Sequence, residues 1–230
     1  MSEKTTPTST SAADPTVYNR LMMLEFYTVW VIWICHPLAW RVSNRRLRRA
    51  YRALPNGAHL SVGPGNGHFL RYLPKRVHTL RLLDPNRVCL SLAANRRAVR
   101  RRGYRLFAHV HDALQPWQDL GESTVNSIDC QMMLHTLRRT SISDKASVIA
   151  EAARVLKPGG TFFGATILTS GAGVRVNAFA RRLIATYTAK GWFSNAGDTA
   201  DDLERELHAH FGEVTFEVHG CTAVWTAVKR

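Results

Sequence analysis

From residue 58 onward the chain alternates short apolar runs with amphipathic segments at a regular beat, and this alternation constrains its fold more than any other feature. Strands are expected near 58–62, 78–83, 104–109, 125–133 and 160–168, with helices near 66–73, 86–102 and 143–156 between them. Strands separated by helices lie side by side through right-handed crossovers, so the pattern predicts an α/β, mostly parallel sheet with helices on both faces. The end of the chain differs. Helices are expected near 176–190 and 199–210, followed by two consecutive β-rich segments, "EVTFEVHG" and "CTAVWTAV", with Gly220 and Cys221 at their junction. A junction that short makes a hairpin, so the last strand should run antiparallel to its neighbour.

At 230 residues the chain suits one domain with appendages. Its cysteines, at 35, 89, 130 and 221, form neither a CxxC pair nor a disulfide framework, which points to a reduced, cytoplasmic setting and no metal. The formal net charge of +14 is unevenly placed, because residues 41 to 105 carry seventeen Arg or Lys and a single acid, Asp84. Such a field attracts nucleic acid, an anionic membrane or an acidic small molecule. With no RRM, KH or zinc-finger pattern, nucleic acid is not the expected partner.

Residues 1–16 are rich in Ser, Thr and Pro with almost nothing to bury, and read as a disordered tail. Residues 17–54 read as an N-terminal helical lid. Their first part, 17–40, is the most apolar in the chain, but its uninterrupted core, "VWVIWIC", is seven residues long and Pro37 should end the helix early. A buried or lid helix is therefore expected rather than a membrane span, with a peripheral membrane contact or a homodimer through these helices as further arrangements. Residues 44–54 should form one amphipathic helix, with Arg45, Arg48, Arg49 and Arg52 opposite Leu47, Ala50, Tyr51 and Leu54.

A glycine loop, "VGPGNG", lies between the first strand and the helix expected after it, with glycines at 63, 65 and 67. It is not a P-loop, which would end in GK[ST], and it misses the dinucleotide fingerprint because His68 stands where a third small residue is needed. Two acids narrow the choice. Asp84 closes the second strand, seventeen residues after Gly67, where a carboxylate can accept both hydroxyls of a ribose; Asp112 closes the third, placed for an adenine amino group. Together with the loop they describe an adenosine pocket.

On "VGPGNG", "LLDPN", "HVHDAL", "SIDCQMMLHTL" and "EAARVLKPGGTFFGATI", residues 55 to 228 resemble the class I S-adenosylmethionine-dependent methyltransferases, in their small-molecule branch similar to the ubiquinone and menaquinone enzymes. The resemblance implies a Rossmann-like seven-stranded sheet with an antiparallel last strand over residues 55–230, and a substrate-specificity insertion near 170–198. It implies S-adenosylmethionine as cofactor, with S-adenosylhomocysteine as product, held by Gly63, Pro64, Gly65, Gly67, Asp84, Pro85, Asp112, Ala113 and Gln131. One position departs from the family: Ser61 stands where Asp or Glu usually precedes the first glycine by two residues, and it brings no charge for the cofactor's ammonium group.

Methyl transfer from a sulfonium is an in-line displacement that needs alignment, exclusion of water and sometimes a base. His135, just past the fourth strand, and His36, at the end of the apolar helix, are the candidate bases. His109 and His111 read as packing or loop residues. Tyr18, Tyr27, Trp30 and His135 are candidates for binding a small aromatic or polyketide-like substrate, with Trp33 on the same segment and residues 175–193 as the opposite wall. A non-methylating cyclisation and an RNA or protein methyltransferase are the alternatives. The second is disfavoured by "DCQM" at 129–132, where "[DN]PP[YF]" would mark an amino-methylating nucleic-acid enzyme.

Overall fold

The computed structural model describes residues 28–230. Seven strands, β1 (Gly57–Val62), β2 (Val77–Asp84), β3 (Arg105–Val110), β4 (Val125–Gln131), β5 (Leu156–Ile167), β6 (Glu213–His219) and β7 (Thr222–Val228), form one sheet in the order β3-β2-β1-β4-β5-β7-β6. The first five are mutually parallel, and β7 runs antiparallel to both β5 and β6. The hairpin expected at Gly220 and Cys221 is therefore present. The order reverses between β1 and β4, which opens a crevice beyond the C-terminal ends of those strands, the usual ligand site of such sheets.

The helices are α1 (Asn44–Leu47), α2 (Arg87–Asn95), α3 (Arg97–Arg100), α4 (Ala146–Val155), α5 (Ala178–Ala189) and α6 (Ala200–His210), preceded by a π-helix, Thr28–Trp40. Alternation along the strands sends Leu60, Val62, Ile128 and Phe162 to one face, where Val148, Ile149 and Ala152 of α4 and Leu203 and Leu207 of α6 cover them. Trp225 packs beside Phe162 at 5.7 Å, above Gly164, where a Cβ would lie 2.5 Å from the indole. On the opposite face Tyr51, Leu70, Leu80, Leu82, Leu90 and Phe163 form a second cluster. A third joins Cys35, Ala39 and Trp40 of the π-helix to Ala165, Ile167 and, from α5, Ala180 and Leu183.

Several expected helices are shorter than the periodicity suggested. The segment 44–54 buries Leu47, Tyr51 and Leu54 as foreseen, but it is α1 followed by a 3-10 turn, Ala50–Ala53. Arginines three and four residues apart repel along a continuous helix face. Residues 66–73 hold only a 3-10 turn, Phe69–Tyr72, because Gly67 is left-handed and Leu73 precedes a proline. The helix expected over 86–102 breaks at Arg96, whose backbone is extended and whose guanidinium reaches back to Asn66 O at 2.8 Å.

β5 starts at Leu156, four residues before the expected 160, and absorbs "KPGG" as an irregularity in its pairing with β4. β4 ends at Gln131 rather than 133, since Met132 adopts a left-handed φ of 55°. Pro37 does not end the first helix. It lies inside the π-helix, whose wider turn accommodates the ring and the missing N–H. No helix among the described residues is long and apolar enough to cross a membrane. The tail expected over 1–16 and the beginning of the lid, through residue 27, lie outside the described residues.

Candidate functional site

The crevice is built first from backbone. Gly63, Gly65 and Gly67 have φ of 64°, 54° and 70°, left-handed values that a side chain would oppose. Gly63 N–H donates to Leu83 O at 2.9 Å and Gly67 N–H to Pro64 O at 2.8 Å, fixing the turn between β1 and β2. A Cβ at Gly67 would lie 2.8 Å from the Ala93 Cα, so the loop also packs directly on α2.

At the end of β2, the Asp84 carboxylate is buried and accepts one bond, from Asn86 N–H at 2.8 Å. Burial pushes its carboxyl up to about 7, the signature of a carboxylate with too few donors around it. Pro85 follows at the surface. Asp112 is partly buried after β3 and accepts from Leu114 N–H at 3.0 Å, with Ala113 buried beside it. Gln131 donates to Leu47 O at 3.1 Å, while its Oε1 is buried without a partner, as is Ser61 Oγ. Loop, carboxylates and open polar atoms thus lie at the ends of β1, β2, β3 and β4, and their donor and acceptor types suit a ribose, an adenine and an amino-acid end.

The other side of the crevice is made of side chains far apart in sequence. His36 is 1% exposed in the π-helix; its Nδ1 lies 2.9 Å from Asn44 Oδ1, and its Nε2 has no partner. Since Asn44 Oδ1 only accepts, the His36 proton sits on Nδ1 and leaves the Nε2 lone pair free. Its ring stacks on Phe69 at 6.4 Å. Burial draws its pKa down to about 4, so the ring is neutral at pH 7. His135 has the opposite arrangement. Its Nδ1 receives Thr166 Oγ1 at 3.2 Å and Ile167 N–H at 3.4 Å, so its proton sits on Nε2. Burial and the nearby Lys145 cation draw it down to about 3.

Trp30 Nε1–H donates to Tyr187 OH at 2.8 Å, and Asn177 Nδ2 donates to Leu38 O and Ala39 O at 3.0 and 3.1 Å, so the π-helix is fastened to α5. Trp33, by contrast, is 63% exposed and faces away from that contact. Tyr18 and Tyr27 lie outside the described residues. Phe193 meets His135 edge-on at 4.5 Å and Tyr187 at 5.1 Å.

Three contributors escaped the sequence reading. Lys145 is buried and donates to both oxygens of Asp198, at 2.8 and 2.7 Å, and to Ser194 O at 2.9 Å, which holds the loop carrying Phe193. Asn44, which sets the His36 tautomer, had no motif around it. His68, which breaks the dinucleotide fingerprint, is buried with Nδ1 unpartnered, and burial with Arg96 and Arg71 lowers it to about 4. His109, 3.5 Å from Arg81, and His111, which donates to Pro116 O at 3.0 Å, are packing and loop residues as expected. No group of three metal-ligating side chains occurs among the described residues.

The chain is similar to known proteins along most of its length. A methyltransferase-domain family matches residues 60–164. The chain is 33% identical to the methyltransferase ctvB of Aspergillus terreus, over 92% of this chain and 93% of that one. It is 29% identical to the demethylluteothin O-methyltransferase of Streptomyces thioluteus, over 96% and 98%. Among solved structures, the N-methyltransferase NodS of Bradyrhizobium japonicum, in complex with S-adenosylhomocysteine, has a similar fold, with a TM-score of 0.52 and 15% identity over 75% of this chain and 78% of that one.

Proposed function

The chain belongs to the S-adenosylmethionine-dependent methyltransferases, and we propose that it methylates an acidic hydroxyl of a planar aromatic or enolic metabolite, polyketide-like in character. The observation that carries this reading is the pair of neutral, oppositely protonated imidazoles, His36 and His135, on the substrate side of the crevice. S-adenosylmethionine supplies a methyl group on a positively charged sulfur. The chain's own residues do the rest.

The loop at Gly63, Gly65 and Gly67, with Pro64, is assigned to the amino-acid end of the cofactor. Asp84 and Pro85 are assigned to the ribose, Asp112 and Ala113 to the adenine, and Gln131 to the region nearest the reacting centre. His36 Nε2 takes the hydroxyl proton as the substrate oxygen becomes nucleophilic. A base that weak matches an acidic hydroxyl, a phenol or an enol, better than an aliphatic alcohol. His135 offers its Nε2–H as a donor and shapes the pocket. Trp30, Tyr187 and Phe193 supply flat apolar walls, and closure by the π-helix excludes water. The named relatives include both an O-methyltransferase and an N-methyltransferase, so the choice of oxygen as acceptor rests on the imidazoles.

The test is a panel of phenols, enolic pyrones, amines and aliphatic alcohols incubated with S-adenosylmethionine and followed by mass. A phenol or enol should gain one methyl group with equimolar S-adenosylhomocysteine. Transfer to amines or alcohols alone would contradict the assignment.

A further inference from the structure

Two residues before the first loop glycine the chain has Ser61, with no charge, yet the level of the sheet at which it stands is not without an acid. Asp129 of β4 is the register partner of Ser61 on the neighbouring parallel strand, so both side chains project from the same face. Asp129 is 3% exposed, in the middle of a parallel sheet where an acid is costly unless it is paired and hydrogen-bonded. Its Oδ1 lies 2.7 Å from His59 Nε2, and His59 Nδ1 lies 2.8 Å from Ser127 Oγ. His59 thus bridges the carboxylate to Ser127 and fixes its orientation on this face of the sheet. Tyr51 closes the site from the covering turn, and the proximity of Asp129 adds to the burial that drives its phenol pKa upward. Ser61 Oγ, next in line toward the loop, is buried without a partner.

We propose that Asp129 is a relocated cofactor-positioning acid: from β4 it supplies the negative charge that Ser61 does not, holding the ammonium end of the cofactor at the glycine loop, with His59 and Ser127 as its fixed support. The proposal rests on the reading of residues 63–67 as the cofactor loop. It makes Asp129 a positioning residue that acts through the field beneath the loop and through Ser61. An acid that served only to satisfy His59 could be replaced by an asparagine, whose carbonyl still accepts from Nε2–H, without any effect on the cofactor.

The experiment is a double-variant cycle read by isothermal titration with S-adenosylmethionine, S-adenosylhomocysteine and 5′-methylthioadenosine, the last lacking the amino-acid end. Asp129→Asn should weaken the first two at least tenfold and leave 5′-methylthioadenosine unchanged. Adding Ser61→Asp to Asp129→Asn should restore S-adenosylmethionine to within about threefold of the parent. Ser61→Asp alone places two carboxylates side by side and should lower the thermal midpoint. Unchanged affinity in Asp129→Asn overturns the proposal, as does an equal loss for all three compounds or a double variant that binds no better than the single. If Asp129→Asn does not fold, the double variant alone decides, since parent-like affinity supports the relocation and a folded, non-binding protein refutes it. A parent that binds none of the three compounds would instead overturn the assignment of the loop, a result distinct from the others.

Discussion

The two sides of the crevice are built in different ways. The side around β1, β2 and β3 is backbone: three left-handed glycines, strand ends and two carboxylates within fifty residues of one another in sequence. The side around the π-helix, α5 and the loop before α6 is assembled from side chains that meet across long separations, such as Trp30 with Tyr187 or Lys145 with Asp198. A surface set by backbone conformation changes little when one side chain is replaced. A surface held by a few buried polar contacts depends on each of them, and it is also the part that can be reshaped for a different substrate.

The sharpest way to break that contrast is at the Lys145–Asp198 pair, whose side chains are 1% and 0% exposed. Lys145→Met leaves a buried carboxylate without its cation and should cost about 3–5 kcal/mol of stability by chemical denaturation. Removing both charges together, Lys145→Met with Asp198→Leu, should recover most of that loss while leaving Phe193 less well held. A single variant as stable as the parent would show that the loop is not fastened there.

Next is Asp84→Ala on the backbone-built side. If Asp84 holds the ribose as proposed, the change removes charge-assisted bonds of about 1.5–3 kcal/mol each, so cofactor affinity should fall at least tenfold while the melting temperature changes little. A normal titration would place the ribose elsewhere.

The pH dependence separates the sides by sign. Asp84, raised to about 7, binds a proton more readily in the fold than in the unfolded chain, so its contribution to stability is full below about 3.8 and is lost as pH rises toward 7. His36, His68 and His135, lowered to about 4, 4 and 3, contribute stability that is present above about 6.5 and is lost as pH falls through their folded values. Three groups against one should make the protein less stable at pH 5 than at pH 7 in thermal melts. Cofactor affinity should rise about tenfold from pH 6 to pH 8 as Asp84 ionises, and Asp84→Asn should flatten that rise. A flat profile in the parent would mean that Asp84 is already ionised in the free protein.

The smallest effect is expected from Asp112→Ala. One amino-group contact of about 0.5–1.5 kcal/mol is lost, so affinity should drop about threefold to tenfold and discrimination against analogues without that amino group should vanish. Equal discrimination in parent and variant would move the adenine away from β3.

The same contrast explains what the sequence disclosed. The sheet, its antiparallel last strand, the glycine loop and the placement of Asp84 and Asp112 were legible because each rests on local pattern, a period of two or a residue type that a turn demands. Helix extents were less so. Gly67, Arg96 and the proline after Leu73 bend the backbone to serve the loop, and tertiary contacts overrode the apolar periodicity. The partners of His36 and His135 were illegible, because Asn44, Thr166 and Phe193 come together only in the folded chain and none of them stands in a recognisable pattern. Trp33 was no more legible. An aromatic residue on so apolar a segment is expected to pack or to line a lid, whereas Trp33 is 63% exposed.

The most direct measurement pairs one variant from each side, with S-adenosylmethionine affinity and single-turnover methyl transfer measured on both. Asp84→Asn should lose affinity and regain near-parental transfer at saturating cofactor. His36→Asn, which keeps a donor for Asn44 but removes the Nε2 lone pair, should bind cofactor as the parent does and transfer methyl about 10²–10⁴-fold more slowly to a phenol or enol. Equal losses of affinity and transfer in both variants, or a His36→Asn enzyme with parental turnover, would contradict the division of the crevice into a cofactor side and a substrate side.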